Sequence, residues 1–177
     1  YTAASRELPA LYAKLDSDTQ QVVAFLQAAG FTAEEITVAA PQVVDKLAQR
    51  YGGETHVELR YTGAQTVTVY SGKVELVRAT ERLLGELGKK GVTVGGEHFQ
   101  PTQYLFTGLN DLKPAMIEEA TRKAREVGEK FAADSGSKLG RIRNANQGQF
   151  SIDDRDANTP HIKKVRVVST VEYYLAD

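Results

Sequence analysis

The spacing of apolar residues along the first 30 positions is helical. Residues 8–15 and 22–29 each place leucine, valine or an aromatic residue on one stripe at intervals of three and four. The run Asp16-Ser17-Asp18 between them offers side chains of the kind that cap helix N-termini, and Gly30 suits the end of a helix. This pattern predicts two short helices rather than one.

The rest of the chain changes between strand and helix periods. Residues 43–47 fit either a short helix or a strand, and the period alone does not decide between them. Alternating apolar residues predict strands, and the 3.6-residue period predicts helices. The predicted elements are, in order, strand 36–40, strand 57–69, helix 73–88, strand 99–106, helix 111–134, extended chain 139–152 and strand 162–175. The order indicates an α+β fold in which helices pack on one side of a largely antiparallel sheet.

The helix predicted at 111–134 has the clearest pattern. Asn110 or Asp111 is expected to cap it, and Pro114 falls in its first turn, where proline is tolerated. Its inward face is predicted to carry small residues at every fourth position, where a backbone can approach closely, together with larger apolar residues: Met116, Ala120, Ala124, Val127, Gly128, Phe131 and Ala132. The final strand, if continuous, would extend about 45 Å at roughly 3.3 Å per residue.

Composition narrows the class of protein. With 177 residues, 41% apolar and 25% charged, the chain suits a single globular domain, or two small lobes, without metal or disulfide staples. A formal net charge of -1 argues against nucleic-acid binding. The chain contains no cysteine, which fits an oxidising compartment although the cytosol tolerates it too. Because the chain begins with Tyr1 rather than Met, we expect that an N-terminal leader or anchor precedes it in the full protein.

The acidic run after residue 152 is the strongest candidate for a metal site. Asp154, Asp156 and Asn158 match the first three ligand positions of a calcium loop. However, Thr159 stands where that loop needs glycine, and Val165 stands where it needs a bidentate glutamate. A turn between two strands is therefore the simpler interpretation, and no metal or other cofactor is predicted.

No catalytic group emerges from the remaining motifs. His56, His98 and His161 are scattered, and none has the i, i+4 spacing that places two imidazoles on one helix face. The serines lack a nucleophile-elbow setting. We therefore predict that the protein is not an enzyme, with a metal-dependent hydrolase using Asp153, Asp154 or Asp156 as the weaker alternative.

One extended segment is unusually rich in side-chain amides and guanidinium groups. Such groups are costly to bury without partners, so they either remain in water or form hydrogen bonds across an interface. An exposed edge strand protected by polar residues and a seam with another subunit both fit this composition. The residues concerned are Arg141, Arg143, Asn144, Asn146, Gln147 and Gln149.

Several stretches together resemble the SIMPL-domain family, formerly a domain of unknown function (DUF541). They are the run 112–120, the helix that follows it, the Gly136-Ser137-Lys138-Leu139-Gly140 step into a strand, the terminal strand 164–175 and the middle strand 65–69. The likeness covers about residues 30–177 and more loosely the first helices. Its motifs are structural glycines and core positions, so they specify fold better than activity.

The resemblance implies a bacterial envelope protein, periplasmic or otherwise extracytoplasmic, exported by a signal peptide or held in the inner membrane by an N-terminal anchor. Members are associated with oxidative-stress tolerance and immune recognition, some assemble into large rings, and a eukaryotic member is a signalling adaptor. The family usually opens with a strand of small residues before its first helix. We expect that strand to be missing here together with the leader, so that residues 1–177 form one SIMPL-like domain without it.

The combined prediction is a non-enzymatic envelope protein that forms homo-oligomers and is linked to stress tolerance. The main alternative is a periplasmic module that binds a small ligand or an envelope polymer, in a pocket lined by Tyr61, Tyr70 and Tyr104 or along an exposed sheet edge. The nature of such a ligand does not follow from the sequence.

Overall fold

The computed structural model describes residues 1–48, 58–95 and 101–176. The chain divides into two compact units, Tyr1–Pro101 and Thr102–Asp177. Both combine helix with antiparallel strand pairs, which confirms the α+β class. The strands are distributed over one three-stranded and three two-stranded sheets, a division that the sequence pattern did not predict.

The described residues of the first unit form a three-stranded sheet in the order β1-β4-β3, a separate pair β2-β5, and three helices. A 3-10 turn at Ala33–Glu35 precedes β2. The elements are β1 (Thr2–Ser5), α1 (Leu8–Ala29), β2 (Ile36–Val38), β3 (Gln42–Asp45), β4 (Tyr61–Ala64), β5 (Val67–Val69), α2 (Val74–Glu81) and α3 (Gly85–Lys89).

Helix α1 is continuous over 22 residues, so the prediction of two helices separated by a capping run was wrong. Asp18 does not cap a helix; it lies on the buried face, between Leu15 and Val22. Continuity keeps one apolar stripe facing the sheet over six turns, and this packing outweighs the low helix propensity of aspartate and serine. The expected stop is confirmed, because Gly30 ends the helix in the left-handed conformation with φ 111°.

A strand precedes α1, contrary to the expectation that it would be missing. β1 is built from small residues and pairs antiparallel with β4, so that Ala3 lies opposite Gly63. On the other side of β4, β3 pairs antiparallel with β4, and its Val43 lies opposite the same glycine. Residues 42–45 are therefore a strand. Buried apolar side chains from the helices and loops complete the core of this unit: Leu11, Leu15, Val22, Leu26, Phe31, Leu87 and Val92.

Two further predictions for this part of the chain need correction. The helix predicted at 73–88 is split into α2 and α3, with a turn at 82–84 between them. The strand predicted through Tyr104 and Phe106 is absent from residues 101–107, which carry no regular element. The predicted strand 99–106 begins at Phe99 and the predicted strand 57–69 begins at Val57. Both of these residues lie outside the described ones.

The second unit consists of one long helix and four strands. The helix, α4, begins at Leu109 after Gly108 and receives no side-chain cap, so the expected capping by Asn110 or Asp111 was wrong. The predicted final strand is interrupted at residues 167–168, so it forms two strands that pair with different partners. The elements are α4 (Leu109–Asp134), β6 (Lys138–Gln147), β7 (Ser151–Asp154), β8 (Lys163–Arg166) and β9 (Ser169–Ala176).

The small residues of α4 do form its contact face. A Cβ placed on Gly128 would lie 3.2 Å from Leu139 Cδ1 and 3.4 Å from Tyr173 Cδ2, so only glycine leaves those side chains ordinary room. Ala132 on the same face is buried. Val127 and Phe131 were expected to point inward, but they are 49% and 72% exposed. Close approach through the small residues leaves the larger ones at the side of the contact.

Candidate functional site

The four strands of the second unit form two halves of one long hairpin. β6 pairs antiparallel with β9, and β7 pairs antiparallel with β8. Between the two halves, the Gly148 N–H donates to the Val168 carbonyl at 2.8 Å, so the pairing continues through the interruption. We call residues 138–154 and 163–176 together the long hairpin.

One face of the β6–β9 half of the long hairpin packs on α4 and the opposite face is open. Val171 and Tyr173 alternate as half-buried residues on the helix side of β9, and Val165 of β8 is half-buried as well. On the open side Asn144 lies opposite Glu172, and Asn146 lies opposite Thr170. All four of these open-face residues are exposed, so this surface is polar and hydrated.

The six residues predicted to form a polar seam all lie on β6 or just after it. Each is exposed. The Arg141 guanidinium lies 5.4 Å from the centre of the Tyr174 ring, which places Arg141 on the open face of the long hairpin. The structure thus brings the predicted residues to β6 and the two positions after it: Arg141, Arg143, Asn144, Asn146, Gln147 and Gln149.

The outer edge of β6, the side turned away from β9, is available for pairing. Among the residues that the structure describes, β6 pairs only with β9, and no other backbone hydrogen bond reaches it. Residues 144–152 along this edge contain neither a charged residue nor a proline. Charges and prolines are the usual protection of an exposed edge strand against pairing with another chain. This stretch lacks that protection.

The candidate calcium-loop residues serve the turn at the tip of the long hairpin. Asp154 forms an ion pair with Lys163, its neighbour across the two strands. The Asp156 carboxylate accepts hydrogen bonds from the backbone N–H groups of Asn158 and Thr159, both at 2.9 Å. The Thr159 hydroxyl and the Arg155 guanidinium also donate to it, and these contacts lower the pKa of Asp156 to about 2. The two carboxylates therefore have separate structural partners.

The described part of the chain contains no cluster of three or more acidic, histidine or cysteine residues that could hold a metal ion. His161 packs edge-on against Tyr104, with ring centres 5.8 Å apart. His56 and His98 lie outside the described residues. Of the tyrosines considered for a pocket, Tyr61 and Tyr70 belong to the first unit, and Tyr70 is largely exposed.

Two polar clusters in the first unit were not predicted. The buried Asp18 carboxylate accepts a hydrogen bond from Lys14 Nζ through Oδ1, while its Oδ2 has no hydrogen-bond partner among the described residues. Lys14 also donates to the Gly91 carbonyl at 3.1 Å, which ties α1 to the loop after α3. Two features of the sequence could have indicated this ion pair: the i, i+4 spacing of Lys14 and Asp18, and the position of Asp18 on the leucine stripe.

The second cluster joins the residue before β1, helix α1 and the segment after β4. The Tyr1 hydroxyl donates to Gln65 Oε1 at 2.8 Å and also contacts the Thr19 hydroxyl. Gln65 in turn donates through Nε2 to the Ala39 carbonyl at 2.9 Å. Burial is the main reason why the pKa of the Tyr1 phenol is raised. These contacts connect distant segments, and they contain no arrangement typical of a nucleophile and its base.

Comparison with known families agrees with this architecture. The model of the SIMPL family, described as "Protein of unknown function (DUF541)", matches residues 1–173. The match includes the first helix, which the resemblance covered only loosely, and the strand before it, which was expected to be missing. No match was found among curated proteins. In the described residues, no helix is both long and apolar enough to cross a membrane.

Proposed function

The chain belongs to the SIMPL (DUF541) family, and from that premise we propose that it is a non-enzymatic, oligomer-forming protein of the bacterial cell envelope. The proposed setting is the periplasm or another extracytoplasmic space, with a role in stress tolerance. The absence of cysteine is compatible with an oxidising compartment. The family resemblance supports export and the stress role.

Oligomer formation is supported mainly by the poor burial within the second unit. Ala132 is its single buried apolar residue among those described, whereas the first unit buries seven. The second unit also leaves exposed the large apolar side chains Leu105, Leu112, Val127, Phe131, Ile142, Ile152, Ile162, Val168, Tyr174 and Leu175. A helix on a two-stranded hairpin gains little stability without further apolar cover. Association with other copies would provide that cover.

A structural role also accounts for the charged residues of the second unit. Along α4, Arg122 pairs with Glu126 and Arg125 pairs with Glu129, which is typical of a solvated helix face. The acidic residues at the hairpin tip stabilise a turn. These arrangements support a protein whose polar groups shape and solubilise the fold.

The absolute mass of the protein in solution tests this proposal. Light scattering behind a sizing column, over about a hundredfold range of protein concentration, is expected to show a discrete species larger than 19.4 kDa. A monomer throughout that range would overturn the assembly role. It would favour a monomeric binding module, for which the open face with Arg141 and Tyr174 is the first surface to screen.

A further inference from the structure

We propose that two copies of this chain associate by antiparallel pairing of the outer edge that β6 and β7 share, about a two-fold axis at Gln147, so that β6 of each copy lies against β7 of the other. The two hairpins would then form one continuous four-stranded sheet. This inference rests on the proposed oligomeric function and specifies its interface. Three features of the long hairpin support this pairing: the free edge, the charges and the apolar residues beside them.

The first feature is the free edge. β6 is the longest strand of the described chain, with ten residues, and among the described residues no strand pairs with the outer edge of its residues 139–147 or of β7. The charge-free stretch 144–152 lies around and beyond Gln147, so the centre of the proposed pairing contains no like charges. At the axis Gln147 stands opposite Gln147 of the second copy, so the two side-chain amides can form hydrogen bonds with each other.

The second feature is charge complementarity. Arg141 and Asp153 lie at equal distances along the sequence from Gln147, on opposite sides of it. In a two-fold antiparallel register centred there, Arg141 of each copy stands opposite Asp153 of the other. Both residues belong to the open face, because Arg141 lies over Tyr174 and Asp153 pairs in register with the exposed Lys164. Neither forms an ion pair within the described chain. The interface would supply the missing partners.

The third feature concerns the helix side of the same edge. Ile142 and Ile152 are also symmetric about Gln147, and both are exposed, at 46% and 38%. Each lies opposite a half-buried residue of its own partner strand, Tyr173 and Val165 respectively. The proposed register therefore brings Ile142 of one copy against Ile152 of the other and covers two exposed apolar side chains at each end of the seam.

The outer edge of β8 and β9 is the competing surface. It carries Lys163, Lys164 and Arg166 close together, and its charge-free run is only residues 167–171. A register centred on Ser169 would place Arg166 opposite Glu172, so this edge offers one complementary pair as well. The longer neutral run and the paired isoleucines favour the β6 edge. Arg166 provides the matched control in the experiment below.

The test is a charge exchange measured by light scattering and sedimentation. Arg141→Glu is expected to raise the dissociation constant by about tenfold or more, because each two-fold contact loses two ion pairs and gains two like-charge contacts. Combining Arg141→Glu with Asp153→Arg should restore the parent assembly. Arg166→Glu should leave the mass unchanged. Circular dichroism melts of every variant establish that each is folded.

A cross-link gives a second readout of the register. Because the chain has no cysteine, Gln147→Cys introduces a single thiol at the proposed axis. Directly opposed residues of an antiparallel pair lie about 4.5–5.5 Å apart at Cα, within the range that a disulfide spans. Mild oxidation should therefore produce a covalent dimer of Gln147→Cys, while the control Thr170→Cys on the exposed face of β9 should remain monomeric under denaturing electrophoresis.

The outcomes separate this inference from the proposed function. A parent protein that assembles, but whose mass responds to Arg166→Glu and not to Arg141→Glu, would overturn the β6 interface and leave the oligomeric function standing. The same conclusion would follow if Arg141→Glu dissociated the protein and the charge exchange failed to restore it, with no cross-link at position 147. A parent protein that is monomeric at every concentration would overturn both.

Discussion

Replacing Gly63 by alanine should destabilise the first unit, although alanine is the better strand residue. Gly63 lies in the middle strand of the three-stranded sheet, where α1 crosses it. A Cβ at this position would lie 2.8 Å from Leu15 Cδ1 and 3.3 Å from Leu11 Cδ2. Leu15 and Leu11 are 1% and 0% exposed, so neither side chain can move into solvent to make room.

Two opposing terms determine the size of the effect. Carbon atoms in contact prefer a separation of about 3.5–4.0 Å, so the added methyl group would overlap Leu15 by roughly 0.7 Å. Overpacking of a close-packed core costs about 1–3 kcal/mol. The change from glycine to alanine recovers about 0.5–1 kcal/mol through the lower entropy of the unfolded chain. We therefore expect Gly63→Ala to lower the free energy of unfolding by about 1–2 kcal/mol.

Urea denaturation followed by circular dichroism measures this change, and Leu15→Val supplies the double-mutant cycle. Shortening Leu15 removes the atom that the new methyl group would overlap, at a cost of its own of about 1 kcal/mol. The double variant should lose less stability than the sum of the two single variants, by about 1 kcal/mol. Gly72→Ala, where the added Cβ meets nothing within 4 Å, is the control. A stable Gly63→Ala, or strictly additive losses, would refute the reasoning.

Two further predictions concern charges. Lys14→Met should lower the free energy of unfolding by about 1–3 kcal/mol, because it leaves the buried Asp18 carboxylate without its counter-ion. Combining it with Asp18→Leu should recover most of that stability in the same urea assay. A Lys14→Met variant with unchanged stability would contradict the ion-pair assignment. Hydrogen bonds from Lys73 and Ser71 lower the pKa of Glu35 from 4.5 to about 2, so its contribution to stability is complete above about pH 4.5 and is lost as the pH falls towards 2. Glu35→Gln should flatten the fall in melting temperature across that window, and an unchanged pH profile would contradict the assignment.

Local patterns predicted the elements whose form depends on neighbours in the sequence. The long helix α4 follows from its sustained period, and the role of Gly128 follows from small residues at every fourth position. Gly30 was recognised because only a residue that tolerates positive φ ends a helix in this way. The family was recognisable for the same reason, since its motifs are structural glycines and core positions.

The predictions were wrong where contacts between residues distant in the sequence determine the local structure. Asp16-Ser17-Asp18 has the composition of a helix boundary, yet packing of α1 on the sheet keeps the helix continuous and buries Asp18. The short β1 has no strong strand pattern of its own and is held by pairing with β4, about 60 residues away in the sequence. Residues 101–107 have strand-like alternation but carry no regular element, because alternation in the sequence does not by itself make a strand.

The candidate site shows the same division. The sequence alone determined that Arg141 to Gln149 is an extended, polar and largely uncharged segment, because that is a property of composition and period. Only the tertiary structure decided that this segment is the outer strand of a long hairpin, with one face on α4 and one edge unpaired. It also turned the predicted calcium loop into a turn, since Asp156 binds the backbone of its own turn and Asp154 pairs with Lys163 across the strands. Period and composition report what a residue prefers, whereas pairing, burial and free edges depend on which distant residue the fold brings beside it.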